Sequence, residues 1–211
     1  MQNSKTNNDP HMSLSYKAVS DQFPGLPPII GIYSPAPRCG KSTAASILWQ
    51  RFGYIRVPFA ETLKLMIRVM LEDAGYTANE IHRLENGDKK ELMPFFNCDL
   101  RHLYTTLGTE WGRMLIHPDL WIKVWTAKVM KLNACGKRVV VEDVRFLNEI
   151  KTVLSRQGIM MRIDREGTQK INHLSEAMTP MDSDFAITIV NNHTLEDFEQ
   201  AIVNTVKGYK P

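Results

Sequence analysis

The sequence predicts an α/β fold in which a parallel sheet lies between layers of helices. Short apolar runs alternate along the chain with segments of helical period, and the run at residues 138–143 contains three consecutive valines. Three valines in a row are typical of a strand buried on both faces. Strands separated by helices pair in parallel, because each helix carries the chain back over a face of the sheet. A three-layer sandwich follows.

Five apolar runs are predicted as strands, at residues 29–33, 54–59, 138–143, 159–163 and 185–190. Helices are predicted at residues 41–52, 60–74, about 99–115, 118–133 and 145–156, and from about Thr194 onward. The helix at 60–74 has the clearest amphipathic spacing. Residues 76–98 are mixed and polar, and no element is predicted there. Residues 1–24 are predicted as a flexible arm, and 25–211 as one domain with a helical insert at about 60–133.

Composition excludes several classes of protein. The 211 residues carry a formal net charge of +3, which suits a site for anionic substrates but is too weak for a nucleic-acid-binding footprint. No apolar run approaches the roughly 20 residues needed to span a bilayer, and residues 1–22 lack a signal-peptide stretch. A cytoplasmic location is therefore predicted. The three cysteines form no CxxC pair, so neither a zinc site nor a disulfide framework is indicated.

The strongest local motif is Gly40-Lys41-Ser42-Thr43, which follows a predicted strand and opens a predicted helix. Backbone amides from Arg38 to Thr43, including those of Cys39 and Gly40, can surround a phosphate at the positive helix end. Lys41 can reach the β- and γ-phosphates of ATP, and Ser42 can bind Mg²⁺. Pro35 stands where such loops usually begin with glycine, which removes an N–H donor from the front of the loop. The alternative is a chance GKST at a helix start.

Asp143, at the end of the valine strand, is the predicted second ligand of Mg²⁺. An acid at this place can hold the metal through water. The alternative is an N-cap of the following helix, a position for which aspartate is well suited. Glu142 is predicted to point to the opposite face, because side chains alternate along a strand.

The insert around residues 99–121 carries candidates for a second substrate. Arg101 and Arg113 can grip a phosphate with two hydrogen bonds each, and Glu110 can accept from a base or a sugar. The alternative is that the arginines lie on solvated helix faces. Trp111 falls on an apolar stripe and is predicted as core, whereas periodicity leaves Trp121 undecided.

These segments bear a wider resemblance. IIGIYSPAPRCGKSTAA, VPFAETLKLMIRVML, LYTTLGTEWGRMLIHPDLWI, VVVEDVRFLNEI, HLSEAM and FAITIVNNHTLEDFEQAI occur in family order and cover most of residues 29–202. The chain resembles the deoxynucleoside monophosphate kinases of tailed bacteriophages. The resemblance implies a P-loop kinase fold with a five-stranded parallel sheet. It also implies Mg²⁺-dependent transfer from ATP to a deoxynucleoside monophosphate (dNMP), in the host cytoplasm if the gene is a phage's.

The resemblance also implies roles for single residues. Lys41 and Ser42 belong to the ATP phosphate loop, and Arg165 is placed where a lid arginine reaches ATP. The residues implied to bind the dNMP are Arg68, Glu110, Arg113, Trp121 and Arg145. The residues implied to be catalytic are Lys41, Arg68, Asp143 and Arg145. His173, Ser175 and Glu176 match a recurring H-x-S-E segment to which no role is given.

Two other functions stay open on sequence alone. One is a kinase for another small phosphate acceptor, such as dephospho-coenzyme A, and the other is a non-catalytic nucleotide-binding protein. An ATPase acting on nucleic acid is disfavoured, because there is no basic stripe. The expected partners are ATP and a dNMP, without nucleic acid or membrane, and the frequency of homodimers among soluble proteins favours a dimer.

Overall fold

The computed structural model describes residues 23–88, 90–168 and 180–210. The predicted arm lies almost wholly outside them, as do His173, Ser175 and Glu176. The chain divides into two compact units, of which the second spans Phe59–Lys128 and the first contains the remaining described residues. The helical insert was expected at about residues 60–133.

The first unit contains the main sheet. Its strands are β1 (Ile29–Tyr33), β2 (Ile55–Arg56), β5 (Val139–Val141), β6 (Ile159–Asp164) and β7 (Ile187–Val190). Its helices are α1 (Lys41–Phe52), α6 (Leu147–Leu154) and α7 (Leu195–Gly208), with a 3₁₀ turn at Asp182–Asp184. Helix α5 (Leu120–Ala134) continues into it from the second unit.

The sheet is parallel throughout, in the order β2-β5-β1-β6-β7. This confirms the predicted five-stranded parallel sheet. The carboxyl ends of all five strands therefore lie at one edge, and the strand order reverses around β1. Ligands of open α/β sheets bind outside the carboxyl ends, at such a reversal. The loops after β1, β5, β6 and β7 are thus placed to form one site.

Both faces of the central strands are covered. Ile30 and Ile32 of β1 pack in one core cluster with Leu48 of α1 and Ile202 of α7. On the other face Gly31 lies under α6, where an added Cβ would stand 2.5 Å from the Met160 sulfur. The three valines of β5 are fully buried, as three apolar residues in succession predict. The strands and helices of this unit are mostly shorter than predicted; β2 keeps two residues of the six.

The second unit begins with α2 (Glu61–Asp73), which confirms the predicted amphipathic helix. Residues 76–98, which the sequence showed only as mixed and polar, contain a helix and a hairpin. Helix α3 (Ala78–Asn86) opens with a capping box between Thr77 and Glu80, and a hairpin of β3 (Leu92–Met93) and β4 (Cys98–Asp99) follows. The Thr-x-x-Glu signature was readable in the sequence. The helix is polar overall and buries only Ile81 and Leu84, so it offers few apolar positions from which a helix can be predicted.

The predicted helix at 99–115 divides into α4 (Leu100–Thr105) and a π-helix (Thr106–Ile116). The i→i+5 hydrogen bonding of the π-helix continues to its carboxyl end, where the His117 N–H donates to the Gly112 carbonyl at 3.0 Å. The core prediction for Trp111 is wrong, since this side chain is 38% exposed. The wider π turn rotates side chains off a stripe drawn at 3.6 residues per turn. π-helices are rare in proteins, and those that occur often lie at functional sites. This one carries Glu110 and Arg113.

No helix among the described residues is both long and apolar enough to cross a membrane.

Candidate active site

The loop between β1 and α1 turns sharply before the helix begins. Gly40 has φ 104° and Arg38 has φ 59°, both in the left-handed region. The Ser34 hydroxyl donates to the Ala36 carbonyl at 2.9 Å, so a side chain closes the turn where Pro35 has no N–H. The loop therefore reaches the amino end of α1 without the usual first glycine.

Lys41 is held over this loop. Its Nζ donates to the Ala36 carbonyl at 3.3 Å. Burial lowers the pKa of Lys41 and the charge of Arg145 lowers it further, while Cys39 acts in the opposite direction. A partly desolvated ammonium gains more from an incoming anion than one in water. Lys41 is thus a partly buried cation at the amino end of α1, and its contact with phosphate stays a prediction.

A cavity of about 460 Å³ opens beside the loop, within the first unit. The residues predicted for ATP that line it are Arg38, Gly40, Lys41, Ser42, Thr43 and Arg165. Cys39 does not line it. Its side chain is 1% exposed, and its sulfur lies 3.7 Å from the Pro37 carbonyl and from the Thr168 hydroxyl.

Three polar residues at or beside this cavity were not predicted from the sequence. Asn191 and His193, in the segment after β7, line it. Asn192 lies between them and accepts from the Glu166 N–H at 2.9 Å. The available signal was the run Asn-Asn-His directly after a predicted strand, at the edge of a parallel sheet where ligands bind.

Two acids follow β5, and the structure distinguishes them. Asp143 is half-buried, and it is not the cap of the next helix, which begins at Leu147 after Phe146. The carboxylate of Glu149 instead accepts from the backbone N–H of Arg145 at 2.7 Å and of Phe146 at 3.1 Å. This bond fixes the backbone that carries the exposed Arg145 side chain.

Glu142 lies on the α1 side of the sheet. Its Oε1 accepts from Arg56 Nε at 3.0 Å and Nη2 at 2.5 Å. Arg56 Nη1 also donates to Ser46 at 3.2 Å, and the Ser46 hydroxyl donates to the Ser42 carbonyl at 3.0 Å. A polar chain thus runs from the strand end to the first turn of α1. Among the described residues, Glu142 Oε2 is buried without a hydrogen-bond partner.

Replacement of Arg56 by methionine is expected to lower the free energy of unfolding by about 2 kcal/mol, because it leaves a buried carboxylate without its cation. Urea denaturation measures the loss. Arg51→Met is the matched control, since its ion pair with Glu199 is largely exposed and should contribute at most about 1 kcal/mol. Equal losses in the two variants would contradict a special role for the Glu142 pair.

In the second unit, Arg68 forms an ion pair with Glu85. Tyr104 belongs to the same cluster. Burial raises the pKa of Tyr104 to about 12, and the negative charge of Glu85 adds to the rise while Arg68 opposes it. Arg68 is therefore held against the carboxylate of Glu85, and its contact with a phosphate stays a prediction.

The π-helix presents Glu110 to solvent and holds Arg113, whose Nη1 donates to the Pro118 carbonyl at 3.4 Å. Trp121 packs against Gly108 and Gly112 of the π-helix. Its side chain is 5% exposed, and its indole N–H donates to the Gly108 carbonyl at 2.7 Å. A Cβ at Gly112 would stand 2.7 Å from the indole. Trp121 is therefore a buried residue that packs against the π-helix and bonds its backbone. A direct contact of Trp121 with substrate stays a prediction.

An open parallel sheet with a lysine-bearing glycine turn at its carboxyl edge defines a class, the phosphate-binding α/β proteins. Comparison with known proteins narrows the class. The family profile described as deoxynucleotide monophosphate kinase matches residues 96–202. A protein of Acanthamoeba polyphaga mimivirus, described as "Putative deoxynucleotide monophosphate kinase", is 30% identical over 182 residues, which cover 79% of this chain and 90% of the relative.

The chain belongs to the deoxynucleotide monophosphate kinase family. It is therefore a kinase whose substrates are nucleotides. The relative is viral, and the bacteriophage origin stays a prediction. Among solved structures, dephospho-CoA kinase from Campylobacter jejuni aligns with a TM-score of 0.43 and 17% identity, over 85% of this chain and 95% of that one. A match at this level adds nothing to the family assignment.

Proposed function

We propose that the protein transfers the γ-phosphoryl group of ATP to a deoxynucleoside monophosphate, giving ADP and a deoxynucleoside diphosphate. One observation carries the proposal: the cavity beside the loop gathers Lys41, Ser42 and two arginines, Arg38 and Arg165, around the amino end of α1. Cations, backbone N–H groups and a helix dipole together suit a polyphosphate. Family membership supports a dNMP as the second substrate.

The donor side would work by positioning and charge. The backbone amides from Arg38 to Thr43 would surround the β-phosphate, and Lys41 would bridge the β- and γ-phosphate oxygens. Arg165 would approach the same phosphates from the loop after β6. Such transfer needs little covalent help, because most of the catalytic effect comes from alignment and from neutralising the charge of the moving group.

Mg²⁺ would be held by the Ser42 hydroxyl and, through water, by Asp143. The fit rests on the exposed Ser42 side chain and on the acidic strand end, where Glu142 keeps a buried oxygen without a donor. Such sparse oxygen ligands suit Mg²⁺, which retains several waters and phosphate oxygens. When bound, the ion neutralises charge on the phosphates.

On the acceptor side, Arg68 and Arg113 of the second unit would bind the monophosphate, with Glu110 for the base or sugar. Arg145, in the first unit, is a further candidate for a phosphate contact. A phosphate oxygen of the dNMP attacks the γ-phosphorus, and the bond from that phosphorus to the β–γ bridging oxygen breaks. The electron pair leaves on ADP. The attacking oxygen is already ionised at neutral pH, so no strong base is required.

The test is a panel of the four dNMPs with ATP and Mg²⁺, read by chromatography for dNDP and ADP. Formation of both in equal amounts, with at least one dNMP, is expected. A panel that yields no dNDP would overturn the proposal, and a product formed only from dephospho-coenzyme A would assign a different acceptor.

Arg68→Met is expected to raise the KM for the dNMP about 10- to 100-fold, because a charge-assisted hydrogen bond contributes about 1.5–3 kcal/mol. The KM for ATP should change less than about twofold. Steady-state kinetics with each substrate varied in turn measures both. Arg83→Met is the matched control, since Arg83 also pairs with a carboxylate of this unit, that of Glu91. Equal effects of the two substitutions would contradict a phosphate contact at Arg68.

A further inference from the structure

Two consecutive asparagines follow β7, and each binds the backbone of a different segment beside the cavity. The backbone of Asn191 is anchored, because its N–H donates to the Asp164 carbonyl at 2.8 Å and so extends the pairing of β6 with β7. Its side-chain Nδ2 donates to the Cys39 carbonyl at 2.9 Å. A hydrogen bond thus joins the loop before α1 to the end of β7, through a side chain 152 positions further along the chain.

This bond sets the direction of one peptide group. In a trans peptide the C=O and the following N–H point in opposite directions, and cis bonds are absent from the part of the chain that the structure describes. Holding the Cys39 carbonyl toward Asn191 therefore turns the Gly40 N–H away from Asn191. Gly40 lines the cavity, and its N–H is one of the donors that a phosphate at the loop requires.

Gly40 and Asn191 also touch directly. A Cβ added to Gly40 would stand 2.6 Å from Asn191 Nδ2 and 3.2 Å from the Phe198 ring. The amide of Asn191 therefore fills the space that a side chain at position 40 would take. The loop can rest this close to the sheet only with a glycine at 40.

Asn192 binds a different segment, the turn after β6. Its Oδ1 accepts from the Glu166 N–H at 2.9 Å, one residue after Arg165. The Thr168 hydroxyl donates to the Arg165 carbonyl at 2.6 Å and closes the same turn. The turn that presents Arg165 and the loop that presents Lys41 are therefore both attached to one dipeptide.

We propose that Asn191 is a positioning residue that orients the Cys39–Gly40 peptide for the phosphates of ATP, and that Asn192 positions the turn carrying Arg165. Neither side chain acts on the reacting atoms; each acts through the backbone that it binds. The inference rests on the proposed function in one respect, that the nucleotide donor occupies this cavity.

The direction of the hydrogen bond makes the proposal testable. Asn191→Asp keeps the shape of the side chain, but an ionised carboxylate cannot donate to the Cys39 carbonyl. Asn192→Asp adds the same charge one residue away and keeps an oxygen that accepts from Glu166. Asn204→Asp makes the same chemical change on α7, where the Asn204 oxygen accepts from Gln200 at 2.6 Å, and serves as control.

ADP binding without metal is measured by calorimetry, and the Gly40 amide is followed by ¹H–¹⁵N NMR during the titration. Asn191→Asp should raise the Kd for ADP at least about tenfold and remove the response of the Gly40 amide. Asn192→Asp should have a clearly smaller effect, and Asn204→Asp should stay within about twofold of the wild type. Binding of the dNMP should not change in any of them.

An Asn191→Asp protein that binds ADP as the Asn204→Asp control does, with an unchanged Gly40 response, would overturn the proposal. If Asn191→Asp does not fold, Asn191→Ala removes the donor without adding a charge and should show the same loss. The outcome is separable from that of the dNMP panel. ADP binding that depends on Asn191, in a protein that forms no dNDP, would leave the positioning role standing and refute the proposed reaction.

Discussion

Lys41→Met should reduce kcat/KM for ATP about 10³-fold while the protein stays folded. Lys41 is the one lysine among the residues predicted for ATP and is the first residue of α1. Loss of one group that stabilises transition-state charge typically costs 10²–10³ in rate. Kinetics with ATP varied at saturating dNMP measures the loss. Lys151→Met is the matched control, since Lys151 lies exposed on α6 of the same unit and should leave kcat/KM unchanged.

The same substitution should not destabilise the ligand-free protein at neutral pH. Folding lowers the pKa of Lys41, mainly by burial, so the charged form costs stability below the folded-state pKa and the cost fades as the pH rises through it. Lys41→Met removes this cost. The free energy of unfolding of the variant should equal or exceed that of the wild type at pH 7, with the difference shrinking toward pH 10. A variant clearly less stable at pH 7 would show that Lys41 holds the loop together.

Gly40→Ala should abolish nucleotide binding and also destabilise the fold. At φ 104° an L-residue is strained by roughly 1–3 kcal/mol, and the new Cβ would overlap the Asn191 amide at 2.6 Å. The Asn191 amide cannot move aside without cost, because it donates a hydrogen bond to the Cys39 carbonyl. We expect an activity loss of at least about 100-fold, measured by dNDP formation, and a lower midpoint in urea.

Gly136→Ala is the control that separates the cost of backbone strain from the cost of the steric clash with Asn191. Gly136 also has a positive φ, 70°, but an added Cβ would meet nothing within 4 Å. It should cost about 1 kcal/mol of stability and leave ADP binding intact. Retention of wild-type ADP binding by Gly40→Ala would contradict the close approach of the loop to Asn191.

The sequence was enough to predict the sheet, because its strands are short apolar runs separated by helices. The valine run of β5 had to be buried on both faces, and the Gly40–Thr43 motif had to begin a helix. The predictions failed in parts of the second unit, where the local sequence pattern did not match the structure that forms. The period of the Trp111 stripe was read at 3.6 residues per turn, whereas the chain there forms a π-helix. Helix α3 was missed because it buries only Ile81 and Leu84.

The sequence by itself therefore determined the five strands of the main sheet, the Gly40–Thr43 motif and the family resemblance, since each depends on residues close together in the chain. Only the tertiary structure decided which distant side chains complete the loop. No local pattern identifies the partners of Asn191 and Arg56. They reach Cys39 and Glu142 because parallel pairing brings strand ends and their loops together at one edge. That pairing joins positions far apart along the chain, which no local pattern encodes.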